Sequence, residues 1–354
     1  MLLVTLLSFF TQKGIGFPIW FWMPWIIYII VYLIIDFSFL GLQLTLQYTL
    51  PILIGVVASG IKYAEDDLLW IFKWFMRLIL LVYSLFLYAN IFGNGYTPGM
   101  ASMPMLFSIS ISLLTGLYFT TKKNIYLILI ILLIIAPVIE VTRMGIAATS
   151  AVFILHFANK NLSSKILFGS IGFFVFLIVF NSKSFQEKTF YGGHGTLSEL
   201  TIDYYDNKNI RSSGRISYKH VLDPGLKAEP VWGNGPRADN QYLVKITKMR
   251  AGESHNDYLS VRFNYGYVGL SLLLFGFITT FVALYKVSSN SIDNSLFWII
   301  STSALTLFIP FLMFMLTDNI LKYTVYFPNY FFALIGITYS IKRGEDLSNY
   351  SVVQ

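Results

Sequence analysis

The residues best placed to do chemistry lie at the end of the longest polar stretch of the chain, in Glu253-Ser254-His255-Asn256-Asp257, only a few positions before a long apolar run. A titratable side chain beside a lipid-buried helix costs several kcal/mol to bury, so its presence there points to a task. A neutral imidazole, with an ordinary pKa of about 6.5, is the natural general base at physiological pH. His255 takes that role, with Glu253 or Asp257 as the fallback base. Helical spacing places Tyr258, Leu259 and Arg262 three, four and seven residues on, so one stripe would carry the histidine and an arginine together. The competing reading has His255 capping the helix through backbone hydrogen bonds.

An anionic ligand would be met by arginines, whose planar fork matches phosphate oxygens. Arg143 and Arg215 are the first candidates, with Arg211 and Arg262 behind them. Arg143 lies in a very short connection between two apolar runs, where it reads either as a cation presented to a ligand or as a snorkelling side chain paired with Glu140. Arg215 and Lys219 share one face of an expected helix that Ser212 or Ser213 would cap, with Arg211 one turn earlier. That face is an anion cradle or simply a solvated basic stripe. Gly233 and Gly235 sit in a turn-rich segment and let a backbone approach a ligand closely, or only make a turn. Asp203 and Asp206 supply too few oxygens for a divalent cation and read as a solvated pair. His156 reads as packing, and His194 and His220 have no partner the sequence identifies.

These groups must be positioned by a membrane protein. Of 354 residues, 56% are hydrophobic and 12% charged, against roughly 25% charged in a soluble domain. The chain lacks cysteine, which excludes disulfides, thiolate metal sites and cysteine nucleophiles. The net charge of +7 does not indicate nucleic acid, because the basic residues mostly flank apolar runs as topology signals. The aromatic share of 18% fits belts at the two membrane interfaces. Runs able to cross a bilayer fall at 17–36, 39–60, 68–92, 102–121, 124–140, 143–159, 164–181, 261–285, 295–317 and 323–341. Residues 1–12 form an eleventh helix or an interfacial piece, without the basic leader of a cleavable signal peptide.

The fold expected is therefore an all-α polytopic bundle of about 10–12 transmembrane helices with one large structured extracytoplasmic loop. Its parts are an N-terminal bundle at 1–181, the loop at 182–254, C-terminal membrane helices at 255–341 and a cytoplasmic tail at 342–354. In the loop, Leu197 to Tyr205 reads as a short helix. Alternate short connections carry Lys13, Lys62, Lys122 with Lys123, Lys160 with Lys165, Lys286, and Lys342 with Arg343. The opposite set carries only Arg143 and Lys322, so the first set is cytoplasmic and the long loop lies outside.

Taken together, the motifs resemble the O-antigen polymerase and O-antigen ligase superfamily of bacterial envelope glycosyltransferases. That family's pattern of His-Asn, nine residues and Gly-x-x-Gly is matched by His255, Asn256, Gly266 and Gly269. Ser213-Gly214-Arg215 is similar to its Ser/Gly-Arg motif, Pro230 to Gly235 to its Pro-apolar step and G-x-G turn, and Thr142-Arg143 to its outward arginine. The agreement covers roughly residues 120–275 and does not separate polymerase from ligase.

The resemblance implies a GT-C-like fold in the bacterial cytoplasmic (inner) membrane, with its active site on the outer face and no metal or other cofactor. The expected donor is a glycan on undecaprenyl diphosphate, passed to an acceptor hydroxyl, with membrane lipid, a chain-length regulator and a flippase as further partners. Arg143 and Arg215 would then stabilise the departing diphosphate, His255 would take the acceptor proton, and Asn256 would orient the acceptor. Arg211, Arg262, Tyr258, Gly233 and Gly235 complete the expected substrate-binding set. Polymerisation of lipid-linked repeats is the favoured activity, and ligation to lipid A core the alternative. A flippase fits less well, because transporters usually carry midplane polar groups and repeated halves, neither of which is prominent in this chain.

Overall fold

The computed structural model describes residues 16–92, 103–140, 142–156, 170, 174, 176–199, 209–211, 215–248, 252–289 and 295–344. The expected N-terminal piece 1–12, most of the 164–181 span, and Asp203 with Asp206 lie outside them.

The described residues fold into helices joined by turns, with an isolated antiparallel bridge between Phe190 and Ile210. The N-terminal bundle comprises α1 (Met23–Ile35), α2 (Phe39–Gly60), α3 (Glu65–Phe92), α4 (Met103–Thr121), α5 (Asn124–Ile139) and α6 (Arg143–Leu155). The large loop contributes α7 (Lys183–Thr189), α8 (Arg215–Ala228) and α9 (Ala238–Thr247). The C-terminal part comprises α10 (Asp257–Ser289), α11 (Leu296–Thr306), α12 (Phe308–Thr317) and α13 (Pro328–Arg343). By length and apolarity, five helical segments are long enough to cross a membrane, the α11–α12 pair counting as one. With the shorter apolar helices between them, this is a polytopic membrane protein. The expected single span 295–317 is divided at Leu307.

The expected spans follow the helices closely because a lipid-buried backbone must satisfy its own polar groups, which leaves helix as the default for each apolar run. At the centre stands α4, buried on nearly every side against α5, α6 and α11. Its hydroxyls are neutralised locally: Ser108 donates to the Pro104 carbonyl at 2.8 Å and Thr115 to that of Ile111 at 2.6 Å. Ser112 instead meets Thr306 of α11 at 2.8 Å, a polar link between helices. Helices α2 and α13 approach until Gly336 packs on the Gly55 carbonyl, where any side chain would collide.

Contacts at the helix ends join several of the connections. At one end the Gly16 amide donates to Ser59 Oγ at 3.2 Å and Arg343 Nη2 to the Gly60 carbonyl at 3.4 Å. At the other, Lys188 donates to the Glu140 carbonyl, Gly235 abuts Asp36, and Glu253 pairs with Lys322. The loop helices cap this second end. Helices α8, α9 and the first turns of α10 share a small core of Leu222, Leu226, Leu243 and Phe263. Of the expected Leu197 to Tyr205 helix, the structure shows one 3-10 turn at Leu197–Glu199, the residues from 200 to 208 lying outside those described.

Helix α10 is interrupted at Gly266, whose φ of 66° and ψ of −167° no helix contains. The amides of Tyr267 and Val268 would ordinarily donate to the carbonyls four residues back. They donate instead to Pro230 at 3.0 Å and Val231 at 3.2 Å, while the carbonyls of Phe263 and Asn264 accept from Asn234 and Gly235, each at 2.9 Å. The segment Pro230 to Gly235 is thus threaded into the break and bonds these four groups. Gly233, at φ 88°, passes so close that a Cβ would strike the Gly266 amide. Gly266→Ala must adopt a positive-φ extended conformation that is essentially restricted to glycine, costing roughly 1–3 kcal/mol, and must also displace the Val231 carbonyl. It should lower the thermal midpoint of the detergent-extracted protein by several degrees; an unchanged midpoint would remove the threaded break as a stabilising element.

Candidate functional site at the capped end

The site is assembled where the loop enters α10. The Asn256 side chain, not that of His255, caps the helix: its Oδ1 accepts from the Leu259 amide at 3.0 Å, and its carbonyl accepts from the Ser260 amide at 2.9 Å. This is the ordinary work of an asparagine at a helix start. His255 precedes the helix in the left-handed region, at φ 48°, a conformation costing an L residue about 1–2 kcal/mol. The cap and the reversed backbone take His255 off the helical stripe, so the expected single face of His255, Tyr258, Leu259 and Arg262 does not form. Tyr258 turns into the bundle and donates to the Leu312 carbonyl at 3.1 Å. Leu259 joins the loop core. Arg262 lies over the Tyr267 ring, its Cζ 4.4 Å from the centroid.

His255 instead faces a residue that its own neighbourhood does not disclose. Its Nδ1 lies 3.5 Å from Oδ1 of Asp318, the residue closing α12, and its ring is 6.4 Å from that of Tyr218 on α8. The His255 side chain is 38% exposed, so it is reachable from solvent while held on one side. An Nδ1–H directed to a carboxylate leaves the Nε2 lone pair as the proton acceptor.

Beneath the histidine lies a buried network of charges. Lys322 Nζ, with its side chain 4% exposed, is 2.7 Å from Glu253 Oε2 and 3.4 Å from Asp239 Oδ2. Arg237, left-handed at the start of α9, closes on the other Glu253 oxygen, and Asn319 Nδ2 donates to Glu253 Oε2 at 3.2 Å. Asp239 also accepts from Ser260 at 2.6 Å and from Asn264 at 3.0 Å. Glu253, a fallback base by sequence, is thus held in two ion pairs. Asp257, the other fallback, accepts from the Leu321 amide at 2.9 Å and is fully buried.

Of the arginines expected to bind an anion, Arg143 and Arg211 are joined. Arg143 opens α6 and its Nη2 donates to the Arg211 carbonyl at 2.8 Å. Arg211 lies over the Tyr191 ring, 5.4 Å from its centroid. Arg215 is the first residue of α8, as its motif implied. Gly233 and Gly235, expected beside a ligand, lie against backbone and Asp36 respectively, within the threaded break. Among the described residues no three His, Asp or Glu side chains gather as a metal site, and Asp203 and Asp206 lie outside those residues.

A polytopic helical bundle capped at one end by a folded loop, with a histidine held in that cap, defines a multi-pass membrane protein. Residues 127–274 match the family model described as O-antigen ligase, so that segment is similar to the O-antigen polymerase and ligase superfamily. The match supports polymerase or ligase activity on a lipid-linked glycan without separating the two. No curated protein matches the chain. The matched segment contains Arg143, Arg215, the threaded break and His255, whereas Asp318 and Lys322 lie beyond it.

Burial alone would raise the Asp239 carboxyl, but Lys322, Ser260, Asn264 and Arg237 together hold it below its ordinary value of 3.8. A carboxyl depressed by folding contributes stability that is complete above its unfolded value and is lost as pH falls through the folded one. In paired thermal melts, wild type should therefore exceed Asp239→Asn at pH 7, and the gap should begin to narrow below about pH 4. A gap that persists unchanged at pH 3 would contradict this account.

Proposed function

We propose that the chain is a polysaccharide polymerase of the bacterial cytoplasmic membrane. It transfers a glycan from undecaprenyl diphosphate to an acceptor hydroxyl on another lipid-linked repeat unit, at the outer face. The observation that carries this reading is His255, half-exposed in the cap with its Nδ1 toward Asp318.

The acceptor hydroxyl gives its proton to His255 Nε2 as its oxygen attacks the anomeric carbon. The bond to the diphosphate breaks on the opposite side, so the reaction inverts the sugar. Asp318 fixes the imidazole tautomer and offsets the imidazolium charge that develops. Arg143 and Arg215 neutralise the departing diphosphate, which needs charge stabilisation in the transition state, and Arg211 adds positive charge beside them. The lipid tail stays among the membrane helices at the level of the cap. Polymerisation is preferred to ligation because polymerases are the more numerous and varied branch of the superfamily.

In cells lacking the chromosomal copy, His255→Ala should abolish the polysaccharide ladder, with turnover down by about 10²–10⁴, while membrane levels of the protein hold. Arg143→Ala and Arg215→Ala should each shorten or remove the ladder. A normal ladder in His255→Ala cells would end the catalytic assignment. Deletion of the chain decides between the branches: single repeats still capped onto core mark a polymerase, and a complete lack of capped glycan marks a ligase.

A further inference from the structure

The turn that follows α12 does more than supply Asp318. Within five residues it reaches both flanks of His255. Asn319 Nδ2 and Lys322 Nζ bind Glu253, two positions before the histidine, at 3.2 and 2.7 Å. The Leu321 amide binds Asp257, two positions after it, at 2.9 Å. The Asn319 amide in turn donates to Asp318 Oδ1 at 2.9 Å, orienting the carboxylate toward His255. A non-glycine residue in the left-handed region persists only where its surroundings over-determine it, and His255 is gripped on both sides by the segment that carries its partner.

We propose that Lys322 is a positioning residue: its buried ammonium, shared between Glu253 and Asp239, locks the Asp318 turn to the His255 loop and to α9, and so sets the alignment of His255 with Asp318. This rests on the catalytic reading of His255 given above. Lys322 touches neither reacting atoms nor, by its burial, solvent. Its contribution is registry among three segments that are far apart in sequence. A lysine does this because a single ammonium can donate to both carboxylates at once. Asn319 supports the same registry with a neutral hydrogen bond, so the two residues can be tested independently.

The test uses membrane vesicles holding the full chain, supplied with lipid-linked glycan extracted from cells deleted for it. Lys322→Met should lower kcat by about 100-fold, the scale of an ångström-level misplacement of a catalytic group, with KM little changed. Lys322→Arg should recover most of the activity, which loss of folding alone would not predict. Should Lys322→Met fail to accumulate, Asn319→Ala gives the reading instead. It keeps every charge and should still lower kcat by about tenfold, since an alignment error worth 1.36 kcal/mol in the barrier has that effect. Wild-type kcat in Lys322→Met, or in Asn319→Ala where Lys322→Met does not accumulate, would overturn the proposal, as would a defect confined to KM. His255→Ala is run beside them. If it turns over normally, the catalytic reading falls; if it is inactive while the positioning variants are normal, only the present inference falls.

Discussion

The capped end depends on one exchange of hydrogen bonds. At Gly266 helix α10 gives up its own bonds from Tyr267 and Val268, and the Pro230 to Gly235 segment takes over the four released groups. An interruption near a membrane helix is tolerable only when its polar groups are re-satisfied, so neither part is stable in this form without the other. The break fixes where the loop lies on the bundle, and the loop fixes where α9, and with it Asp239, meets the start of α10.

The spacing of the two sequence motifs then has a physical meaning. Asn256 caps α10 and Gly266 breaks it, so the nine residues between them are the length of helix separating the histidine from the seat of the loop. Gly269 lies three residues past the break, packed against Tyr28 and Trp25 of α1. The Tyr28 hydroxyl donates to the Tyr265 carbonyl at 3.0 Å, which pins the broken turn from the membrane side. Histidine, break and packing surface form one rigid ladder. The family pattern reads as the minimum sequence that builds it.

The spans were legible because hydropathy is a property of composition, and α2 begins and ends where the apolar run does. The histidine and the arginines were legible because polar groups are rare in such a chain. The stripe expected to join His255 to Arg262 does not form, because periodicity assumes helical backbone and His255 lies before a cap in the left-handed region. Gly233 and Gly235 read as a close approach to a ligand or as a turn, and nothing local says that what lies against them is the backbone at Gly266 and the side chain of Asp36 respectively. Lys322 counted as a topology charge, since its partners Glu253 and Asp239 lie 69 and 83 residues earlier. Asp318 was invisible for the same reason.

The wall against which Tyr265 rests has a consequence for how this protein can be divided. Its ring touches Trp25, Tyr28, Tyr32 and Tyr48, and Pro236 closes on Gly41; these five partners lie ahead of the segment 127–274 that the family model matches. The matched segment is therefore smaller than the folding unit. A fragment trimmed to the matched segment would lose the aromatic lining behind the broken turn, and exchange of homologous cores between relatives should succeed only when the first two helices travel with them.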